Sequence, residues 1–317
     1  MRIGVTVPNA GPLATTDALV GLAEYAEQAG FDSVWVADHL IIPTQSSQPY
    51  PYARPDLHGG QGHAGLPPDW PFLDPLIALA AIAARTSRIL LGTGVYLLPL
   101  RHPIATAKMA ASLDILSSGR LLLGVGLGWI REEYETLGIS WSDRGRLMDE
   151  QIDMIRSLWR NARPEFHGTF WQVEGLGFAP KPAGGALPIL IGGNNDPARG
   201  RAAARGDGWH LIDLDPEAIR QHAAQLADDC ASFGRSAADV PLSMYASISI
   251  EPETVSDTSR QFPLMGTVDQ IAARLSDYRD AGLAHIVLAA RGLTTREAYE
   301  DLFSVIQTRI LPRMRPA

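Results

Sequence analysis

The sequence is poor in cysteine and in positive charge, and each shortage excludes a class of protein. The single cysteine, Cys230, rules out an internal disulfide and any metal site built from several cysteines. The 27 lysines and arginines are outnumbered by 35 acidic residues, so the formal net charge is −8. Such a chain has no basic surplus to attract nucleic acid or an anionic membrane surface. We therefore expect neither of these as a partner.

Long apolar runs and metal-binding spacings are also lacking. No segment approaches the stretch of about 18 apolar residues that a membrane-spanning helix needs. The N-terminus enters an apolar strand at once, without the basic and apolar regions of a signal peptide. The eight histidines include no HExxH motif and no tight carboxylate–histidine spacing of the kind that binds zinc. We expect a cytoplasmic protein with no metal site.

What the sequence does contain is a regular alternation of short apolar runs and amphipathic helices. Eight of the runs predict strands, at residues 3–7, 33–37, 88–95, 120–125, 188–191, 208–211, 242–250 and 285–289. Alternating strands and helices predict a parallel sheet. Eight units with no obvious midpoint favour closure into a (β/α)₈ TIM barrel, with an open doubly wound sheet as the alternative.

The length of the chain suits one domain, because such barrels run from about 200 to over 400 residues. We therefore predict a single TIM-barrel domain over residues 1–317. Two irregular insertions interrupt the pattern, at residues 41–71 after strand 2 and at residues 163–188 before strand 5. The first is rich in proline, glycine, histidine and glutamine, and a loop of that length inside a compact domain is usually functional.

In a barrel, functional residues lie just after the strands, which directs attention to Asp38 and His39 after strand 2. This pair could exchange protons with a substrate or hydrogen-bond the polar edge of a ring. The pair could equally have a structural role, in which Asp38 caps a turn and His39 makes ordinary hydrogen bonds at the surface. Position alone leaves the two interpretations even.

Glycines mark the ends of three further strands. Gly94 ends strand 3, and Gly126 and Gly128 end strand 4. Gly124, Gly126 and Gly128 recur at every second residue, which does not meet the spacing of a dinucleotide-binding fingerprint. Their absent side chains would allow either close approach to a planar cofactor or tight packing of the turns. After strand 5, Gly192, Gly193 and Asn194 lead into a helix N-terminus, which favours a phosphate site over a plain glycine turn.

Several longer segments resemble a known family. They are residues 29–39 (AGFDSVWVADH), 101–103 (RHP), 111–120 (ASLDILSSGR), 123–129 (LGVGLGW), 188–193 (PILIGG), 206–209 (GDGW) and 266–268 (GTV). Together they resemble the luciferase-like monooxygenase superfamily, which includes bacterial luciferase, flavin-dependent monooxygenases and deazaflavin (coenzyme F420)-dependent oxidoreductases. The resemblance extends over residues 1–312, nearly the whole chain, and looks closest to the deazaflavin group.

The resemblance implies a cofactor, either coenzyme F420 or reduced FMN, at the mouth of the barrel. It places Asp38 and His39 near the reactive ring and a non-proline cis peptide at Gly94–Val95 behind that ring. The glycine-rich turn at 126–128 with Trp129 would border the cofactor, and the loop of Gly192, Gly193 and Asn194 would hold its phosphate. Some deazaflavin dehydrogenases carry a glutamate where this chain has Trp129. That difference argues against sugar-phosphate dehydrogenase chemistry.

We therefore expect an oxidoreductase that transfers a hydride between coenzyme F420 and a small organic substrate, with His39 as acid or base. One alternative is a monooxygenase that uses reduced FMN supplied by a separate reductase. A second is a barrel that binds a cofactor without turnover. A homodimer is a further expectation. Four aromatic residues in or directly after the first insertion (Tyr50, Tyr52, Trp70 and Phe72) suggest an apolar or aromatic substrate, or else they pack the insertion against the barrel.

Overall fold

A computed structural model describes residues 1–52, 67–252, 263–290 and 292–315. The strands are β1 Arg2–Thr6, β2 Ser33–Val36, β3 Leu90–Thr93, β4 Tyr96–Leu97, β5 Leu121–Gly126, β6 Phe166–His167, β7 Gln172–Val173, β8 Ile189–Gly192, β9 Gly208–Ile212, β10 Leu242–Ile250, β11 Leu264–Gly266 and β12 Leu283–Ala290. The helices are α1 Thr16–Ala29, α2 Pro75–Ala83, α3 Pro103–Leu116, α4 Arg131–Thr136, α5 Arg144–Arg160, α6 Asp196–Arg205, α7 Pro216–Ser232, α8 Val268–Asp280, α9 Arg296–Val305 and α10 Leu311–Met314.

Eight of these strands close into a barrel in the order β1, β2, β3, β5, β8, β9, β10, β12 and back to β1, every neighbouring pair being parallel. The predicted (β/α)₈ TIM barrel is confirmed, and the open sheet is excluded because β9 pairs with β10 and β12 pairs with β1. No described helix is both long enough and apolar enough to cross a membrane.

The third predicted strand differs from the observed one. Residues 88–95 were expected to form one strand, but β3 ends at Thr93 and β4 begins at Tyr96. The peptide between Gly94 and Val95 is cis, as the family resemblance implies, and it separates the two short strands. Because β4 still pairs with β5, the chain continues along the barrel wall after the interruption.

The described parts of the two predicted insertions are largely irregular. Between β2 and α2 the described residues contain an isolated bridge from Phe72 to Ala10 and no longer element. Residues 53–66 of this insertion lie outside the described part of the chain. Between α5 and β8, β6 and β7 form a short antiparallel hairpin.

Helix starts in the sequence carry residues that cap them. A side-chain oxygen accepts a hydrogen bond from the first turn of α1, α2, α6, α7, α8 and α9; the capping residues are Thr15, Asp74, Asn195, Asp215, Thr267 and Thr295. Gly30 ends α1 at a φ of 85°, a backbone conformation that favours glycine. At these six helices the capping residue marks where the helix starts and therefore where the preceding loop ends.

The interior of the barrel contains a large aromatic side chain and the glycines that make space for it. Trp35 on β2 is almost wholly buried. A Cβ atom on Gly92 would lie 2.3 Å from Cδ2 of Trp35, so β3 can only pass this ring as glycine. The indole of Trp35 stacks on the imidazole of His210 with ring centroids 4.7 Å apart. The stacked pair fills the barrel close to the carboxyl ends of its strands.

Candidate active site

All the strand ends singled out in the sequence meet at one mouth, because the eight barrel strands are parallel and closed. Asp38 and His39 follow β2, and Gly94 and Val95 lie between β3 and β4. Gly126 ends β5, and residues 127–129 follow it. Gly192, Gly193 and Asn194 end β8 and lead into α6. The structure therefore brings the predicted site residues to the same end of the barrel, although it gives them different partners.

Asp38 is buried and bound on both oxygens by the protein itself. Oδ2 accepts hydrogen bonds from Nη1 of Arg101 at 2.6 Å and from the backbone N–H of Leu97 at 2.8 Å. Oδ1 accepts one from Nη2 of Arg101 at 2.9 Å, and the same nitrogen also contacts Asp74 at 3.1 Å. Such a bidentate pair is rigid. Asp38 therefore fastens the chain after the cis peptide to the end of β2, and its contact with a cofactor stays a prediction.

His39 forms a pair with a residue that the sequence did not single out. Nδ1 of His39 lies 2.9 Å from Oε2 of Glu133 on α4. The side chain of Glu133 is 1% exposed and that of His39 is 11% exposed. Oε1 of Glu133 also accepts the backbone N–H groups of Leu40 at 2.9 Å and Ile41 at 3.3 Å. Within the part of the chain that the structure describes, Nε2 of His39 has no hydrogen-bond partner.

Aromatic side chains surround His39 at the mouth. The ring edges of Phe72 and Trp129 approach it, with centroids 5.7 and 6.3 Å away. Tyr50 packs against Trp129 at 5.3 Å and against Tyr52 at 5.7 Å. Three aromatic residues of the first insertion therefore belong to the wall of the mouth. The fourth, Trp70, packs beside Gly11, where a Cβ atom would lie 2.9 Å from its ring.

Two of the predicted cofactor glycines contact a side chain of the protein. A Cβ atom on Gly126 would lie 2.4 Å from Cγ2 of Val95, and one on Gly192 would lie 2.6 Å from Cγ1 of Val95. The isopropyl group of Val95 thus occupies the space that both glycines leave. Gly128 has a φ of 72°, and a Cβ there would come within 3.1 Å of Leu97. The first two glycines therefore let Val95 sit against the barrel wall, and their contact with a cofactor stays a prediction.

The loop expected to hold phosphate uses much of its hydrogen-bonding capacity internally. The N–H of Gly193 donates to the carbonyl of His210, and the side-chain amide of Asn194 bonds both backbone groups of Ile212. Asn195 caps α6 through the N–H of Ala198 at 2.9 Å. The backbone N–H groups at positions 195 and 196 have no partner among the residues described. These two groups, rather than Gly193, are the donors left for an anion at this helix N-terminus.

Beneath the mouth lies a buried polar cluster formed by two histidines and two serines. Nδ1 of His210 is 2.8 Å from Oγ of Ser243, and Nε2 of His285 is 2.7 Å from Oγ of Ser33. Burial lowers the pKa of His210 to about 4 and that of His285 to about 3, so both rings are neutral at pH 7. This cluster adds polarity without charge to the floor of the site.

Glu133 and Arg101 had weak signals in the sequence. Glu133 lies four residues after Trp129, at the start of an amphipathic stretch, where it would pass for a solvated surface acid. Its partner His39 is 94 positions away, and Arg101 is 63 positions from Asp38. Among the described residues, no group of three or more histidine, cysteine, aspartate or glutamate side chains could hold a metal ion.

Comparisons with known proteins identify relatives over most of the chain. A model of the luciferase-like monooxygenase family matches residues 1–254. The F420-dependent glucose-6-phosphate dehydrogenase of Microbacterium testaceum is 33% identical over 242 residues, which are 74% of this chain and 65% of that protein.

Solved structures share the fold at low sequence identity. An F420-dependent secondary alcohol dehydrogenase in complex with an F420–acetone adduct has a TM-score of 0.79 at 18% identity, covering 99% of both chains. The oxygenating constituent of 3,6-diketocamphane monooxygenase from Pseudomonas putida, in complex with FMN, has a TM-score of 0.74 at 15% identity, covering 98% of both chains. At these identities the structures support the architecture alone.

Proposed function

The chain belongs to the luciferase-like monooxygenase family, and within that family we propose that it is an oxidoreductase transferring a hydride between coenzyme F420 and a small organic substrate. The choice of F420 rests on the 33% identical relative named for that cofactor. When bound, the deazaflavin ring supplies or accepts the hydride. The contribution of the protein is to place the ring and the substrate and to move the accompanying proton.

The observation that carries the proposal is the environment of His39. Its ring is oriented by Glu133 through Nδ1, and its other nitrogen has no partner within the described residues. The rings of Phe72 and Trp129 pack against the imidazole at near right angles, which limits its rotation. A histidine with one nitrogen anchored and the other open at the mouth is arranged to exchange a proton with a substrate.

The residues at the mouth suit a planar aromatic cofactor. Gly94 and Val95 are half-buried there, and Ala37 is exposed although it directly follows a buried strand. Backbone open to solvent beside small side chains gives a ring a flat surface to lie on. The two N–H groups at the start of α6 that have no partner among the described residues would serve an anionic group of the cofactor. Val95 would lie behind the ring, and His39 would face the reacting atoms.

The aromatic wall favours a substrate with an apolar or aromatic part. Phe72 and Trp129 pack against His39 and Tyr50 packs against Trp129, so these rings can surround such a group and exclude water from it. The family resemblance implies that some deazaflavin dehydrogenases carry a glutamate where this chain has Trp129. We therefore propose an uncharged organic substrate rather than a sugar phosphate.

A cofactor titration distinguishes the proposal from its alternatives. Purified protein is titrated with F420 and with FMN, in both redox states, and binding is followed by fluorescence. Tight binding of F420 with redox turnover on a substrate panel is expected. Selective binding of reduced FMN with oxygen consumption would replace the proposal by a monooxygenase, which would require a separate reductase. Binding of either cofactor without turnover across the panel would indicate a non-catalytic barrel.

Replacement of His39 tests its role directly. We expect His39→Ala to bind the cofactor within a few-fold of the wild type while single-turnover hydride transfer slows by roughly 10² or more, because general acid–base help is lost. His167→Ala, at an exposed position on β6, is the matched control. An unchanged chemical step at saturating cofactor, with lower stability or weaker cofactor binding instead, would assign His39 a structural role.

A further inference from the structure

Glu133 is bound to donors on both of its oxygens, and this determines what His39 can do. The backbone N–H groups of Leu40 and Ile41 can only donate, and both reach Oε1. Oε2 faces Nδ1 of His39 at 2.9 Å. A carboxylate can only accept, so the hydrogen of the neutral imidazole lies on Nδ1. The lone pair is then on Nε2, the nitrogen without a partner in the described part of the chain.

We infer that Glu133 is a positioning residue that holds His39 in the Nδ1–H tautomer and so makes Nε2 a proton acceptor. This inference deepens the proposed function and rests on it for its kinetic consequence. When a substrate proton moves to Nε2, the O–H or N–H bond of the substrate breaks and the imidazole becomes a cation. The buried carboxylate 2.9 Å from Nδ1 stabilises that cation. The positive charge therefore forms next to a fixed negative charge.

The backbone contacts of Glu133 make the arrangement rigid. Leu40 and Ile41 directly follow His39, so the carboxylate holds the histidine side chain and the two peptides after it together. The preceding residue on α4, Glu132, has a different task. It accepts the N–H of Ser47 at 2.6 Å and has no bond to His39. The two adjacent glutamates of α4 therefore anchor two points of the segment after β2, and only one of them reaches the histidine.

Glu133→Gln should invert the tautomer of His39 while keeping the shape of the side chain at position 133. The amide oxygen of Glu133→Gln can replace Oε1 and retain the backbone bonds to Leu40 and Ile41. The amide nitrogen then faces Nδ1 and can only donate, so His39 must carry its hydrogen on Nε2. The comparable aspartate-to-asparagine change in serine proteases, an established example of a wrong tautomer, lowers the rate by about 10⁴. For Glu133→Gln we expect a loss of roughly 10²–10⁴ in single-turnover rate.

The tautomer is measured on the protein without cofactor, so that it is independent of turnover. Nitrogen NMR of the ¹⁵N-histidine-labelled chain, with His39 assigned by its loss in His39→Ala, should show hydrogen on Nδ1 in the wild type. It should show hydrogen on Nε2 in Glu133→Gln and no change in Glu132→Gln. Hydrogen on Nε2 in the wild type would overturn the inference. Because this measurement needs only the wild-type chain, a poorly folding Glu133→Gln variant does not prevent it.

A double-mutant cycle then tests whether Glu133 acts through His39. Glu133→Gln should slow hydride transfer strongly in the wild-type background and less than about threefold in the His39→Ala background. Equal losses in both backgrounds would show that Glu133 acts independently of the histidine and would overturn the inference. If neither cofactor supports turnover, the proposed function fails, while the tautomer measurement still decides the role of Glu133.

Discussion

Gly126→Ala tests whether glycine is required at this position to make room for the side chain of Val95 or for a cofactor. The added Cβ would lie 2.4 Å from Cγ2 of Val95, about 1 Å closer than ordinary van der Waals contact. Rotation of Val95 offers no relief, because its other methyl already occupies the space that Gly192 leaves. Val95 is β-branched and therefore stiff about χ1. The strain must then be absorbed by movement of the backbone after β3 or β5.

The expected cost follows from this overlap. Overpacking by one methyl group in a well-packed region costs typically about 1–3 kcal/mol. The unfolding entropy of a domain grows with its length, so in a chain of 317 residues each kcal/mol lowers the melting temperature by only roughly 1–2 °C. We therefore expect Gly126→Ala to melt roughly 1–6 °C below the wild type in the absence of any cofactor.

Thermal unfolding of four variants measures the effect and its cause. Val95→Ala removes both methyl groups, so Gly126→Ala should cost little when added to Val95→Ala. Gly200→Ala is the matched control: a Cβ at this position within α6 would meet no atom within 4 Å. Since alanine favours a helix over glycine by about 1 kcal/mol, this control should be slightly more stable than the wild type.

A different pattern would refute the packing argument. If Gly126 serves close approach of a cofactor, Gly126→Ala will melt like the wild type without cofactor, will bind the cofactor more weakly, and will not be rescued by Val95→Ala. An additive loss in the double variant would also contradict the proposed contact between the two residues.

Two further predictions concern stability. Burial lowers the pKa of His210 from 6.5 to about 4, so as the pH falls below about 6.5 the unfolded chain takes up a proton that the folded chain does not. The free energy of unfolding measured in urea should therefore decrease between pH 6.5 and about 4. His210→Gln should reduce the slope of that decrease by about one proton, and an unchanged slope would contradict the assignment. The buried guanidinium of Arg120 donates to one hydroxyl, Oγ1 of Thr86, and to four backbone carbonyls, which belong to Ala83, Thr86, Ile89 and Ser117. Arg120→Met should therefore lower the free energy of unfolding by at least about 3 kcal/mol, because it leaves buried acceptors unpaired. Arg120→Lys should lower it less, because the lysine supplies three donors. A methionine variant as stable as the wild type would contradict the argument.

The sequence predicted the architecture well because its signals are local. A buried parallel strand is a short apolar run, a helix begins at a capping residue, and the eight repeats require neighbours on both sides. The resemblance also placed the cis peptide at Gly94–Val95, where the structure has it. The exception was the third strand, which was expected to be continuous and is divided at that peptide.

The candidate site was predicted in its location and only partly in its contacts. Strand ends determine which loops reach the mouth, and so Asp38 and His39 could be found from position. Their partners could not be found in this way, because Arg101 and Glu133 are ordinary charged residues in the sequence until folding brings them together. The sequence left Gly126 open between a planar cofactor and tight packing and assigned Gly192 to a phosphate loop, and it gave no sign that Val95 packs against both glycines.

The sequence by itself determined the succession of strands and helices, their parallel arrangement and the end at which the loops gather, since periodicity, caps and glycines act over a few residues. The pairings of β9 with β10 and of β12 with β1 in the tertiary structure decided that the sheet closes. Only the tertiary structure decided that Asp38 is bound by Arg101 and that His39 is paired with Glu133. The physical reason is that a hydrogen bond between side chains depends on distances of about 3 Å across the barrel mouth. Those distances are set by the closure of the whole barrel and by the packing of α4 against its rim.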